Sequence, residues 1–364
     1  MERRDLVIVG GGPAGSATAL ALAQLDPGLA SRALLLDRAE FPRDKTCAGG
    51  LIPHTLHVLR ELGLELDVPA VRVDHASVEV KGERIEIPAP GCCWIIRRRE
   101  LDAMLLGAVR ERGVEVREGV KVLGAAREGD AIRLETTAGA LRTRAVVGAD
   151  GSGSLVRRAL VSREEGFVAR AVMADVPIDA SEAPARFEFD FRATPLGLAG
   201  YAWSFPCLIE GRPHWNVGAY SITRRGEGAR LARLVDERAR DDRAPRKAHP
   251  IRLHHKDAPI SGPGVLLVGD AAGVDPLLGE GISFALQYGQ LAAQSLVAGF
   301  AVDDLGFRDY GRRVARSPMG VKLRRLGLAA RLLYGPSGPL WFRLVRMSRR
   351  AQIIGMNWYN GVAN

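Results

Sequence analysis

Gly10-Gly11-Gly12-Pro13-Ala14-Gly15 follows the apolar run Leu6–Val9 directly and opens an alanine-rich stretch that continues to about Leu25. The G-x-G-x-x-G spacing gives each glycine a task. Gly10 permits a tight turn, Gly12 lets the backbone approach a pyrophosphate, and Gly15 lets a helix pack closely on its strand. A helix starting there points its unpaired N–H groups at the phosphates. Asp37 lies 22 residues after Gly15, at the end of a second apolar run, Ala33–Leu36, where a carboxylate accepts hydrogen bonds from an adenosine ribose. The pattern predicts a dinucleotide site containing Gly10, Gly12, Gly15 and Asp37, with the adjacent Arg38 a further candidate.

Three later segments extend that site. Arg97-Arg98-Arg99-Glu100-Leu101-Asp102 opens a helix and offers Arg98 to a phosphate. Val147-Gly148-Ala149-Asp150-Gly151 ends an apolar run in a sharp turn, with Asp150 beside the cofactor. Leu267-Val268-Gly269-Asp270-Ala271-Ala272-Gly273, then Pro276-Leu277-Leu278-Gly279-Glu280-Gly281-Ile282, pairs a strand ending in Gly-Asp with a glycine-flanked helix start. Asp270 would accept from ribityl hydroxyls, and the N–H groups at Gly281 and Ile282 would meet a flavin pyrimidine edge. The dinucleotide is therefore read as FAD.

These groups need elements to hold them. The first 37 residues read as a β-α-β unit, and helical patterning returns at Pro53–Leu62 and Arg99–Arg112. Short strands are expected at Ala76–Val80, Arg84–Ile87, Val114–Arg117, Ile132–Glu135 and Ala145–Val147. Residues Ala169 to Val217 alternate apolar and polar positions with interspersed aromatics, as in an antiparallel sheet with one face on a core. A charged helix, Gly228–Arg243, precedes a buried strand, Val265–Val268, and an apolar helix from about Glu280 to Val297. After Asp309 two helical segments are expected, split by Gly335-Pro336-Ser337-Gly338-Pro339. The expected fold is α/β: a Rossmann-like FAD-binding domain (1–75, 95–160 and 258–308) interleaved with an antiparallel-sheet substrate domain (76–94 and 161–257). A basic helical segment, 309–364, follows.

Taken together, the motifs resemble the flavoprotein group of para-hydroxybenzoate hydroxylase, and within it the geranylgeranyl reductase family. Two segments carry the closer resemblance: Phe41-Pro42-Arg43-Asp44-Lys45-Thr46-Cys47-Ala48-Gly49-Gly50-Leu51 and Gly200-Tyr201-Ala202-Trp203-Ser204-Phe205-Pro206. The likeness spans about Leu6 to Val297. It implies that the cysteine-glycine loop lies beside the isoalloxazine and that the aromatic strand lines a prenyl pocket. It implies FAD contacts at Ala14, Asp37, Cys47, Ala48, Gly50, Arg98, Val122, Asp270, Gly281 and Ile282. The chain departs from the family pattern at Ala48, Cys207 and Leu278, where the family carries glycine, a basic residue and threonine.

Tyr201, Trp203 and Phe205 are two apart, so on a strand they share a face and form one aromatic wall against which a polyene chain could pack. The plain alternative is an ordinary sheet core. The expected activity is reduction of carbon–carbon double bonds in a hydrophobic isoprenoid or prenyl lipid, with hydride from flavin N5. Cys47, Tyr201 and Trp203 are the candidate catalytic residues, Tyr201 or Cys47 being the candidate proton route. NADPH, NADH or ferredoxin could supply electrons, since only one G-x-G-x-x-G is present. The rival readings are a flavin monooxygenase or halogenase acting on an aromatic small molecule, and a non-catalytic FAD-binding or membrane-tethering protein. Gly273 stands where monooxygenases carry histidine.

Bulk properties narrow the class further. Four cysteines without C-x-x-C spacing fit a reducing compartment, and neither a metal site nor a disulfide framework is expected. A cytoplasmic protein starting at Met1 is expected. The net charge of +9 is carried by the tail: residues 311–364 hold eleven Lys or Arg and no acid, leaving 40 basic against 42 acidic groups elsewhere. Interleaved with Trp341, Phe342, Leu344 and Trp358, those cations suit peripheral contact with an anionic membrane, and no nucleic-acid motif is present. The plain alternative is a solvated basic face. Oligomeric state is not encoded in any feature of the sequence.

Overall fold

The structure is a computed structural model of the 364-residue chain that describes residues 1–80, 82–164, 166–179, 186–222, 227–240 and 243–360, apart from the side chains of 344–347 and 351. Its first sheet is built on the strand Glu2–Val9, which runs parallel to Ala33–Leu36 on one side and to Gly139–Gly148 on the other. Val265–Leu267 extends the parallel order beyond Gly139–Gly148, and Glu115–Arg117 extends it beyond Ala33–Leu36. Leu6, Val7, Ile8, Leu34 and Leu35 have no exposed surface, as strands covered on both faces require. The expected strand Ile132–Glu135 is the second arm of a hairpin. Its first arm, Val122–Glu128, follows Val122 and Leu123 with small and charged residues and has no clear period, so the sequence does not announce it.

The helix Pro13–Leu25 packs along the later helix Ile282–Ala301, and small residues make the seam. A Cβ placed on Gly289 would lie 2.6 Å from the Thr18 nitrogen, so only glycine lets the two backbones come this close. That seam brings the fourth motif against the first: a Cβ on Gly269 would stand 2.8 Å from Ala14 Cβ.

The second sheet orders its strands Lys247–Arg252, Val168–Pro177, Arg212–Ile222, Gly200–Ile209, Arg186–Asp190, Ala70–Val80, Glu83–Ile96 and Gly50–Leu51. All pairs are antiparallel except Arg186–Asp190 with Ala70–Val80. The strand expected at Ala76 begins at Ala70, because a register irregularity between Val73 and His75 interrupts the alternation. Its partner runs on to Ile96 through Pro88 and Pro90, residues that read as loop in sequence. The charged helix ends at Ala239, with Arg240 in the left-handed region, and buries Leu231, Val235 and Ala239 on the outer face of the sheet beside Ala202 and Val217.

The tail forms four helices rather than two: Tyr310–Arg316, Pro318–Tyr334, Gly338–Met347 and Arg349–Asn360. Ser317 accepts from Gly320 N at 3.1 Å and Pro318 takes the first helical position, a cap that restarts the chain after Arg316. The run from Gly335 to Pro339 ends one helix at Tyr334 and starts the next.

Candidate functional site

Gly12 caps the Pro13–Leu25 helix with backbone only, leaving that N-terminus free of a competing side chain. Two guanidiniums stand over it: a Cβ on Gly12 would be 3.6 Å from an Arg98 terminal nitrogen and 4.0 Å from one of Arg43. Asp102, fully buried, holds both. It accepts from Arg98 at 2.6 and 2.8 Å and pairs with Arg43 at 2.8 Å. Asp37 binds the loop from the other side, accepting from Gly11 N at 2.7 Å and Ala39 N at 2.8 Å. A helix N-terminus flanked by two fixed cations fits a pyrophosphate. Val120 N donates to Asp37 O, which brings the segment leading into Val122 beside Asp37, with Arg38 exposed next to it.

At the opposite end Asp270 accepts from the Ser152 hydroxyl at 2.8 Å, and its Oδ1 lies 3.4 Å from where a Cβ on Gly281 would be. Gly281 caps the Ile282–Ala301 helix without a side-chain bond of its own. The glycine-flanked carboxylate and helix start of the fourth motif therefore meet as expected. Asp150 is used differently. Its half-buried carboxylate accepts from Leu155 N, Val156 N and Ser154 at the start of the helix Leu155–Leu160, and Gly151 beside it turns with positive φ.

The cysteine-glycine loop joins these ends to the second sheet. Cys47 is half-buried and its Sγ accepts from Gly49 N at 3.4 Å. Ala48 packs on the aromatic cluster. Gly50 pairs with Ile95, and a Cβ there would be 3.4 Å from the Phe205 ring. Tyr201, Trp203 and Phe205 do share a face, with neighbouring ring centroids 6.0 and 6.5 Å apart and each ring at most 9% exposed. Phe187 and Phe189, two apart on the adjoining strand Arg186–Asp190, and Phe191 just past its end continue the wall. These three escape sequence reasoning because strand order decides which aromatics adjoin.

The polar ends of the wall are committed. Trp203 Nε1 donates to Asn216 at 2.9 Å, Asn216 to Asp175 at 2.8 Å, and Arg97 grips Asp175 with two bonds. Tyr201 donates to Leu278 O at 2.5 Å, and burial pushes its phenol well above its ordinary range. Tyr334 donates to Leu277 O at 2.7 Å, and Tyr359 to Asp275 at 3.1 Å. Asp275 itself accepts from Leu277 N and Leu278 N, and burial raises its carboxyl. The loop before the Ile282 helix is thus clamped by the wall and by the tail.

The tail is therefore more than a basic face. Phe342 is buried against Phe191 at 5.3 Å, Trp358 packs half-buried on the core, and Lys322 points inward to donate to Tyr359 O at 2.6 Å. Trp341 is exposed, and Leu344 falls among the side chains outside the described ones. Among the described residues no helix is long and apolar enough to cross a membrane, and no His/Cys/Asp/Glu group has metal-site geometry. A separate hollow of about 350 Å³, lined by Leu56, Arg60, Arg72 and Trp94, contains none of the motif residues.

Residues 3–201 match the FAD binding domain family. The chain is 33% identical over 333 residues to the menaquinone reductase of Mycolicibacterium smegmatis, covering 83% of this chain and 78% of that protein. It is 30% identical over 331 residues to digeranylgeranylglycerophospholipid reductase 2 of Methanopyrus kandleri, covering 82% and 78%. The chain belongs to the geranylgeranyl reductase-like FAD-dependent oxidoreductases. A geranylgeranyl bacteriochlorophyll reductase-like structure from Thermoplasma acidophilum superposes on this flavoenzyme with a TM-score of 0.78 at 22% identity, covering 98% and 96% of the two chains. A flavin-dependent brominase shares the fold as well, with a TM-score of 0.73 at 18% identity and coverage of 99% and 94%. FAD is the cofactor of this family, and the cradle at Gly12, Arg43, Arg98 and Asp102 fits it: the buried Arg43 Nη1 faces Asp102 but lacks a hydrogen bond of good geometry.

Proposed function

We propose that this flavoenzyme saturates carbon–carbon double bonds in the isoprenoid chain of a membrane-soluble substrate, a prenylated quinone or a prenyl lipid. The observation that carries the reading is the aromatic wall of Tyr201, Trp203 and Phe205, extended by Phe187, Phe189 and Phe191, which meets the cysteine-glycine loop at Gly50. Tilted and edge-to-face rings give an extended polyene a dry, apolar surface at low entropic cost. The names of the relatives, a menaquinone reductase and a phospholipid reductase, support a prenylated substrate.

In this reading bound, reduced FAD supplies the hydride. The Asp270, Gly281 and Ile282 edge orients the flavin, while Gly12, Arg98 and Arg43 hold its pyrophosphate through Asp102. Cys47, Ala48 and Gly50 would lie between a bound flavin and the wall, on which Ala48 and Gly50 pack. Tyr201 and Trp203 position the wall, since each spends its hydrogen on a neighbour. NADPH, NADH or ferredoxin reduces the flavin, a nucleotide donor binding transiently because the chain carries one glycine motif.

Substrate would arrive from a lipid surface. Leu328, Leu340, Trp341, Ile353 and Ile354 are exposed on the tail helices among Arg324, Arg325, Arg343, Arg349 and Arg350, an apolar and basic face without acids. Co-sedimentation with anionic vesicles at low salt tests that arm; a protein left wholly in the supernatant contradicts it. The reaction is tested by anaerobic incubation of dithionite-reduced enzyme with a menaquinone and, separately, a geranylgeranyl lipid. A product heavier by two hydrogens per bond that survives exposure to air is chain saturation, whereas a product that reverts in air is a quinol and contradicts the proposal.

A further inference from the structure

Adding two hydrogens across a double bond takes a hydride and a proton, and the wall has no acid to spare. The Tyr201 hydrogen is committed to Leu278 O and the Trp203 hydrogen to Asn216. Two residues before Cys47 stands Lys45, a cation the sequence reading left without a role. Its Nζ lies 2.8 Å from Nε2 and 3.1 Å from Nδ1 of His249, 204 residues away on the edge strand Lys247–Arg252.

The fold fixes this pair. Next to Lys45, Asp44 is bound to Lys247 and pairs with Arg97 at 3.7 Å, and Arg97 also grips Asp175. The loop is thereby stitched to the second sheet on both sides of the Lys45 position. Titratable and charged groups facing Lys45 are Arg98, Asp270, Cys47 and Arg43; those facing His249 are Lys45, Asp270, Arg98 and Arg38. Lys45 therefore sits among the residues that hold both ends of the cofactor, while His249 is half-buried on an edge strand that reaches solvent.

We propose that Lys45 delivers the proton that accompanies hydride transfer and that His249 links Lys45 to solvent. The inference rests on the double-bond reductase reading. An N–H bond of the Lys45 ammonium breaks as a C–H bond forms at the carbon opposite the one that takes hydride, and the two electrons come from FAD already reduced by the external donor. The neutral amine regains a proton from water through the His249 ring. The chemistry suits the environment. Burial, then the Arg98 charge, pulls Lys45 down to about 8 against Asp270 and Cys47, with Arg43 adding to the fall, so its ammonium gives up a proton readily near neutral pH. Burial and the Lys45 charge hold His249 near 4, leaving it neutral and able to pass a proton.

The test uses the FAD-loaded full chain and begins without substrate: the visible absorbance of bound, oxidised FAD is titrated from about pH 6 to about pH 10. Wild type shows a step near pH 8, and Lys45→Met retains FAD but loses the step. In single turnover with a prenyl substrate, wild-type rate falls above the same pH, while Lys45→Met is at least about tenfold slower and flat. His249→Gln keeps the step, slows turnover, and recovers when imidazole is added. Should Lys45→Met fail to load FAD, Lys45→Arg takes its place, keeping the charge without a transferable proton. A wild type with no step, or a Lys45 variant with wild-type rate and pH profile, overturns the proposal. A Lys45-dependent step in a protein that reduces no prenyl compound overturns the reductase reading and leaves the placement of Lys45 standing.

Discussion

Asp102 locks Arg98, four residues earlier on the same helix, with paired bonds of 2.6 and 2.8 Å, and so fixes a guanidinium over Gly12. Because Asp102 has no exposed surface, its charge is useful only while Arg98 and Arg43 complete it.

Asp102→Asn is accordingly expected to weaken FAD binding about tenfold to a hundredfold, roughly 1.4 to 2.8 kcal/mol, by leaving both arginines misaimed and imperfectly paired. Fluorescence titration of the apoprotein with FAD measures it. Affinity equal to wild type would show that the cradle does not hold the pyrophosphate.

Gly218 underlies the wall. A Cβ there would stand 2.0 Å from the Trp203 ring, so Gly218→Ala must displace Trp203 and break its bond to Asn216. The expected cost is about 1 to 3 kcal/mol of stability, with FAD retained and prenyl reduction lost. Thermal denaturation, flavin content and turnover are read on the same sample.

Tyr201→Phe removes an anchor rather than an acid. With Leu278 O left unpaired, stability should fall by about 1 to 3 kcal/mol and the flavin-side loop should loosen. The pH dependence of turnover should stay as in wild type. A changed pH profile would return Tyr201 to the proton route.

What the sequence made legible were demands that backbone geometry imposes locally. Gly10, Gly12 and Gly15, Gly269-Asp270 and the two-residue rhythm of Tyr201, Trp203 and Phe205 are each tied to one turn or one strand, and type and spacing suffice to read them. Pairings made across the fold were not legible. Lys45 meets His249 over 204 residues, and Phe189 joins the wall only because its strand pairs with that of Tyr201. The direction of the tail's side chains was not legible either. Its composition records eleven cations but not direction, and Lys322 points inward toward Glu280 and Asp275 while Tyr334 and Tyr359 reach the loop that sets the flavin-side helix.

Acid should act on a second half-buried imidazole. Burial, then the charges of His255 and Arg324, lower His254 to about 4, so folding favours its neutral form. A depressed folded value means the contribution is present above the ordinary histidine value near 6.5 and is lost as pH falls toward 4. Stability should decline by about 1 to 3 kcal/mol across that window, and His254→Gln should flatten the decline. Chemical denaturation at a series of pH values checks it.

The central claim is that the aromatic wall presents an isoprenoid double bond to the flavin. The most direct measurement is anaerobic stopped-flow mixing of the dithionite-reduced enzyme with a prenyl lipid, with oxygen in a parallel run. The account predicts rapid return of the oxidised flavin spectrum with the prenyl compound and a product two hydrogens heavier per bond. Reoxidation by oxygen alone, through a transient hydroperoxide absorbance, would contradict it and mark the chain as a monooxygenase or halogenase.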